Sequence, residues 1–152
     1  MLAPAGMTRS TFSLTAPVHS GPPASGHLDD GNTIPGGRYR YPESAAAGLY
    51  TTASDLCRFI IAVNQGGTIG GQTLLDRTRY QAMMNDSLGM PTGSVGQPGE
   101  WFSHNGSNRG FQCQFKGYPQ KKAGYAILTN GDQGGTLHTE IAQALIRTYG
   151  WE

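Results

Sequence analysis

The chain holds 152 residues, with 11 Lys and Arg against 10 Asp and Glu for a formal charge of +1, and 37% of it is hydrophobic. That is enough for one domain with a moderate core, and the even charge gives no electrostatic reason to expect a nucleic-acid partner or an anionic membrane. No apolar run has the length of a membrane span, and the first ten residues, MLAPAGMTRS, carry no charged start followed by an apolar stretch, so no signal peptide is legible there.

Residues 1 to about 47 show almost no periodicity and are dense in Pro, Gly, Ser and Asp. A stretch this long without structure of its own predicts a segment that wraps around something else, or a chain whose first part lies elsewhere. The first firm helix follows. Thr52 is the expected N-cap with Asp55 as reciprocal partner, Leu56, Phe59, Ile60 and Val63 make one apolar face, and Gly66-Gly67 ends it. A weaker helix is expected from about Asp76 to Asn85, then a Gly- and Pro-rich loop over residues 87–99.

Three strands are expected next, at about residues 100–105, 110–116 and 124–129, the last two joined by the turn GYPQKKA. In the second, Phe111, Cys113 and Phe115 alternate with Gln112, Gln114 and Lys116, as a half-buried strand requires. A final helix from about Thr136 to Tyr149 would bury Leu137, Ile141, Leu145 and Tyr149, with Gly150 as its stop. The fold class is therefore α+β: an antiparallel meander of about three strands covered by a C-terminal helix, preceded by a helical and loop-rich segment. The division is a loop-rich wrap over 1–47, a helical part over 48–86, and strands plus helix over 87–152. Three strands and one helix leave a sheet face and an edge to be covered by the N-terminal loops or by a partner.

The stretch WFSHNGSNRGFQCQF, residues 101–115, carries more hydrogen-bonding chemistry between its strands than a turn needs. His104, Asn105, Gly106, Ser107, Asn108 and Arg109 sit there together. As bare residues, His104 serves equally as a hairpin histidine bonded to a carbonyl, Ser107 and Asn108 as turn formers, and Arg109 as a solvated turn charge. Cys57 and Cys113 each fall on an apolar element and read as buried free thiols, with a disulfide left open. The four histidines (His19, His27, His104, His138) show no metal-ligand spacing, and no cofactor is expected.

Four stretches in order resemble the serine β-lactamase-like family of class C β-lactamases, D-alanyl-D-alanine carboxypeptidases and related esterases. PAGMTRSTF, from Pro4 to Phe12, is similar to that family's PLGMxxTxF. AGLYTTASDLCRF, from Ala47 to Phe59, is similar to AGGLxSTAxDLARF. HNGSNRGF, from His104 to Phe111, is similar to HxGxxxGF, and Leu128-Thr129-Asn130 before a Gly-rich loop and the last helix completes the set. The family works by acyl transfer: a serine in S-x-x-K attacks a carbonyl, a Tyr or Ser in a second motif moves protons, and a third motif, K-T-G or H-x-G, lines the cleft.

The resemblance implies roles for particular residues. His104 would orient substrate and proton network. Gly106 would keep the strand open to a close-lying substrate backbone, and the Ser107 N–H would be one of two oxyanion donors. Asn105, Asn130 and Tyr50 would contact a small amide or ester substrate. For Asn130 a plain turn, and for Tyr50 a hydrophobic staple, are the alternatives. The chain has no S-x-x-K and no Y-x-N, since Lys116, Lys121 and Lys122 all lack a Ser three residues before them. It therefore resembles the C-terminal part of such an enzyme, with the N-terminal half of the same fold as its missing partner, and is expected to be inactive alone. Ala47 where class C β-lactamases tend to carry an aromatic, and His104 in place of Lys, tilt the resemblance toward esterase or peptidase. A non-catalytic binding or assembly module that keeps the cleft wall is the alternative. Localisation is not legible; the resemblance implies a periplasmic or secreted bacterial parent.

Overall fold

The computed structural model describes residues 1–13, 22–93 and 100–151. His19 and residues 94–99 of the expected loop lie outside the described residues. In chain order the elements are α1 (Ser44–Ala47), α2 (Ala53–Asn64), the short hairpin β1 (Thr68–Ile69) and β2 (Gln72–Thr73), α3 (Arg77–Asn85), β3 (Thr92–Gly93), β4 (Trp101–Asn108), β5 (Phe111–Tyr118), β6 (Ala123–Thr129) and α4 (Gly134–Tyr149). The main sheet is antiparallel in the order β3-β4-β5-β6, so the expected three-strand meander gains a two-residue fourth strand at one edge.

The strands also run further than expected. Pairing of β4 with β5 continues through His104↔Phe115 and Gly106↔Cys113 to Asn108↔Phe111. Only Arg109 and Gly110 are left to turn the chain, and Gly110 does so at φ +82°. The polar run 104–108 is thus strand rather than turn. A ladder needs main-chain groups, not apolar side chains, and here polar side chains pair across it: Gln112 Nε2 donates to Ser107 Oγ at 2.9 Å. At the other end Gly117 and Tyr118 belong to β5, which shortens the GYPQKKA turn.

The two sheet faces bury different clusters. One carries Phe102 and Phe115 from the hairpin and Ala126 from β6, packed on Phe59, Ile60 and Val63 of α2 and Met83 and Met84 of α3. Phe102 is fully buried at its centre. The other face carries Tyr118, Tyr125 and Ile127 against Ile141, Ala142 and Leu145 of α4, closed by Trp101 and Trp151. Helix α2 begins as expected, with Thr52 Oγ1 accepting the Asp55 N–H at 3.2 Å. Helix α4 is turned relative to the expected face. His138 is buried, while Leu137 and Tyr149 are 47% and 63% exposed. The cause lies at its start. Any Cβ on Gly134 would run into the Thr129 side chain, and Thr129 Oγ1 lies 3.0 Å from His138 Nε2. That contact fixes the rotation so that residues 138, 141, 142 and 145 meet the sheet. The helix ends at Gly150, left-handed at φ 64°.

The N-terminal residues make contacts with the rest of the chain. Ala5 and Met7 are buried against Leu56 of α2, Thr11 bridges to Tyr50, and His27 bridges to Thr33 and Gly131. No helix among the described residues is long and apolar enough to cross a membrane. Cys57 and Cys113 are free and half-buried.

Candidate active-site cleft

The four stretches singled out in the sequence come together. Residues 8–11, 46–52, 104–109 and 128–130 all line one cleft of about 1010 Å³, with Phe111, Cys113 and Phe115 on its floor. The cleft lies over the tip-ward half of the α2 face of the sheet, beyond where α2 itself packs.

Strand alternation decides which groups reach it. His104 shares the face of Phe115, on which its ring stacks at 6.3 Å between centroids and 23° between planes, and its side chain is exposed. Gly106 lies on the same face opposite Cys113, whose Sγ is 2.5 Å from where a Gly106 Cβ would be. Burial pushes the Cys113 thiol up from its ordinary value, with the Gly106 main chain drawing it back down.

Asn105 and Ser107 project to the opposite face, where they border a smaller cavity of about 330 Å³ against Gly135, His138 and Thr139 of α4. The main chain of Ser107 is oriented differently. Ser103 donates its N–H to Pro91 O at 3.0 Å across the β3 side of β4. Main-chain groups alternate along a strand, so the N–H groups of Asn105 and Ser107 aim at that same side. Among the described residues, β3 pairs only with Trp101 and Phe102 there, leaving the edge open at Ser107.

Asn130 closes the far end of β6 as a clamp. Its carbonyl accepts the His27 N–H at 3.0 Å and faces His27 Nδ1 at 2.9 Å, while its Nδ2 donates to Ser25 O at 2.9 Å. Tyr50 stands on the cleft wall, tied to Thr11 through both main-chain bonds at 2.9 Å and lying under the Arg38 guanidinium at 5.1 Å. Asn108 Nδ2 donates to Ala47 O at 2.9 Å, pinning the hairpin to the segment before α2.

Sequence reasoning missed two features. The expected reciprocal bond from Asp55 to Thr52 is replaced: Asp55, 4% exposed, accepts the Arg9 N–H at 2.8 Å and the Ser10 hydroxyl at 2.7 Å. Ser10 in turn sits 2.7 Å from Thr51 Oγ1, so one buried carboxylate ties the first stretch to the second. Arg109 is not a free turn charge. Its guanidinium lies over Tyr39 at 5.5 Å and its N–H donates to Tyr41 Oη at 3.0 Å. The only available signal for the second was the concentration of Tyr and Arg in GRYRYP.

Comparison with known proteins agrees with this convergence. A family model described as Beta-lactamase matches residues 1–149. No curated protein matches the sequence. Among solved structures, a class C beta-lactamase mutant superposes with a TM-score of 0.69 at 19% identity, covering 97% of this chain and 50% of that one. A class C beta-lactamase in complex with cefoxitin gives 0.68 at 17% identity, covering 97% of this chain and 51% of that one. The beta-lactamase/D-alanine carboxypeptidase from Pseudomonas syringae gives 0.66 at 15% identity, covering 96% and 50%. At these identities the likeness is one of fold, and the chain spans about half the length of each structure.

Proposed function

The chain belongs to the beta-lactamase family, and on that footing we propose that it forms the C-terminal part of a serine hydrolase that cleaves an amide or ester through an acyl-serine intermediate. The observation that carries this reading is the convergence of all four family-like stretches on one cleft. Residues that are merely turn formers or caps have no reason to share a surface across such sequence separations.

In this reading His104 stands over the cleft floor and hydrogen-bonds substrate and the proton network. Gly106 lets the substrate main chain lie against β4, and the Ser107 N–H, aimed at the open edge, is one oxyanion donor. The Ser107 side chain is held on the far face by Gln112, so its contribution is the main chain and not a nucleophile. Losing one such donor costs on the order of 3 kcal/mol of transition-state stabilisation. Tyr50 and Asn130 shape the walls. The attacking serine, its S-x-x-K lysine and the second oxyanion donor come from a complementary half, since no S-x-x-K occurs in these 152 residues. The same absence favours the second reading, a binding or assembly module that keeps the cleft without the chemistry.

One observation separates them, and a second tests the assignment of the nucleophile. An S-x-x-K followed by Y-x-N encoded in frame upstream of Met1 supports the enzyme, whereas a stop codon and a ribosome site there supports the module. In a burst assay with a chromogenic β-lactam and an activated ester, the chain alone is expected to give no stoichiometric acylation; a full burst would overturn the assignment of the nucleophile elsewhere.

A further inference from the structure

Helix α4 covers only part of its face of the sheet. Beside its first turns the cavity of about 330 Å³ stays open against β4 and β5, a size at the lower end of the range for small-ligand sites. Asn105, Ser107, Gln112, Gln114, His138 and Thr139 supply its polar side chains, and among the described residues no Asp, Glu, Lys or Arg lines it. Burial holds the His138 ring below its ordinary pKa, so it too is neutral at pH 7, and its Nε2 is occupied by Thr129 Oγ1 at 3.0 Å. The walls are polar and carry no charge.

Two cross-strand pairs border this cavity. Ser107 stands opposite Gln112, and Asn105 opposite Gln114, within reach of one another across an antiparallel ladder. The first pair is satisfied internally, Gln112 Nε2 donating to Ser107 Oγ at 2.9 Å. The second is not. Gln114 Oε1 is buried with no hydrogen-bond partner among the described residues, and Asn105 is exposed. A buried acceptor left without a donor carries a cost that the N–H or O–H of a ligand removes. A carboxylate brings no donor, and it would enter a site with no cation to offset its lost water.

The cavity adjoins the cleft. Asn105, Gly106, Ser107, Gln112 and Cys113 border both, and Asn105 is two residues from the Ser107 N–H, roughly 7 Å at the usual strand rise. We propose that Asn105 and Gln114 read an uncharged hydrogen-bond-donating group of the substrate, a carboxamide or a hydroxyl, that passes the open edge of β4 into this cavity. A carboxamide suits the pair best, since its N–H donates to Gln114 Oε1 while its carbonyl accepts from Asn105 Nδ2. This specificity rests on the acyl-serine reading, in which the Ser107 N–H holds the reacting carbonyl. The group lies one substituent away from that carbonyl, so it selects the substrate and takes no part in bond cleavage.

The experiment is an NMR titration of the 152-residue chain, following the carboxamide signals of Asn105 and Gln114. The probes are N-acetylglycinamide, N-acetylethanolamine and the carboxylate N-acetylglycine, which share one scaffold and differ in the terminal group. The two neutral probes are expected to saturate in the millimolar range and to shift both signals, and the tighter of the two assigns the group. N-acetylglycine is expected to bind on the order of tenfold more weakly. Gln114→Leu should weaken the neutral probes on the order of tenfold. Gln114→Glu, which keeps the acceptor and adds a negative charge, should retain them and exclude N-acetylglycine. Gln143→Ala, exposed on α4 and off the lining, should change nothing. Thermal unfolding of each variant checks that the fold is intact. No saturable binding of either neutral probe, a carboxylate bound as tightly as the carboxamide, or binding indifferent to Gln114 would each overturn the assignment. No acylation is read, so a chain that binds the amide but never supports turnover contradicts only the acyl-serine reading.

Discussion

Asp55 sits in the first turn of α2 with one oxygen accepting from both the Arg9 N–H and the Ser10 hydroxyl. A buried carboxylate with such partners makes each bond worth more than a neutral one, and removing it strands two donors of the N-terminal segment. Asp55→Ala is expected to destabilise the chain by about 2–3 kcal/mol in urea unfolding and to open residues 1–13 to proteolysis, whereas Thr52→Ala, which removes only the cap, should cost about 1 kcal/mol. Gly106 makes a second residue-scale claim. A methyl there meets Cys113 Sγ at 2.5 Å, so Gly106→Ala should cost about 1–3 kcal/mol and Cys113→Ala in the same chain should recover most of it. Additive losses in that double-mutant cycle would contradict the contact. The identity of these residues was legible in the sequence; their partners were not. Asp55 in a T-x-x-D pattern reads as a local capping box, and nothing within one turn of helix reveals that a segment some 45 residues earlier claims its carboxylate.

At the scale of elements, apolar periodicity located α2, α4 and β5, because burying one face against a single layer leaves a periodic trace, while β6 read as a short apolar run. It failed where position is set by a tertiary contact. The stripe Leu137, Ile141, Leu145, Tyr149 is a valid helical face, yet α4 turns His138 inward because Gly134 and Thr129 meet at its start. Residues 106–108 were invisible as strand because their ladder is held by main-chain groups and a Ser–Gln pair. The buried His138 gives a pH prediction. Burial lowers its pKa below the ordinary value, so the unfolded chain binds more protons than the folded one once the pH falls below about 6.5. Stability should therefore decline on acidification through that value and level off only after His138 protonates within the fold. Chemical denaturation across pH 5–8 checks this, and His138→Gln should flatten the His138 share of the slope. A stability that rises on acidification would contradict the assignment.

For the whole molecule, the decisive feature is what the fold leaves uncovered. α4 and its aromatic neighbours close one sheet face, α2 and α3 close part of the other, and the remainder is cleft. Leu49 and Leu128 there are each 37% exposed, and among the described residues β6 pairs on one side only along its length. An apolar cleft floor beside a strand edge favours association, so the chain alone should show concentration-dependent self-association by light scattering; a strictly monomeric chain at high concentration would count against an uncovered half. The family was legible in the sequence through its four motifs, since their spacing survives where overall identity does not.

The most direct measurement joins this chain to its proposed complement. A separately expressed polypeptide carrying the S-x-x-K and Y-x-N portion encoded in the same frame is mixed with it, and acylation by an activated ester is followed by mass spectrometry. Neither piece alone should acquire an acyl group. The mixture should place one on the serine of S-x-x-K and turn it over, and His104→Ala in this chain should slow that turnover by about a hundredfold. Acylation of this chain by itself, or turnover by the mixture indifferent to His104, would contradict the proposal that these 152 residues are the wall of an active site and not its nucleophile.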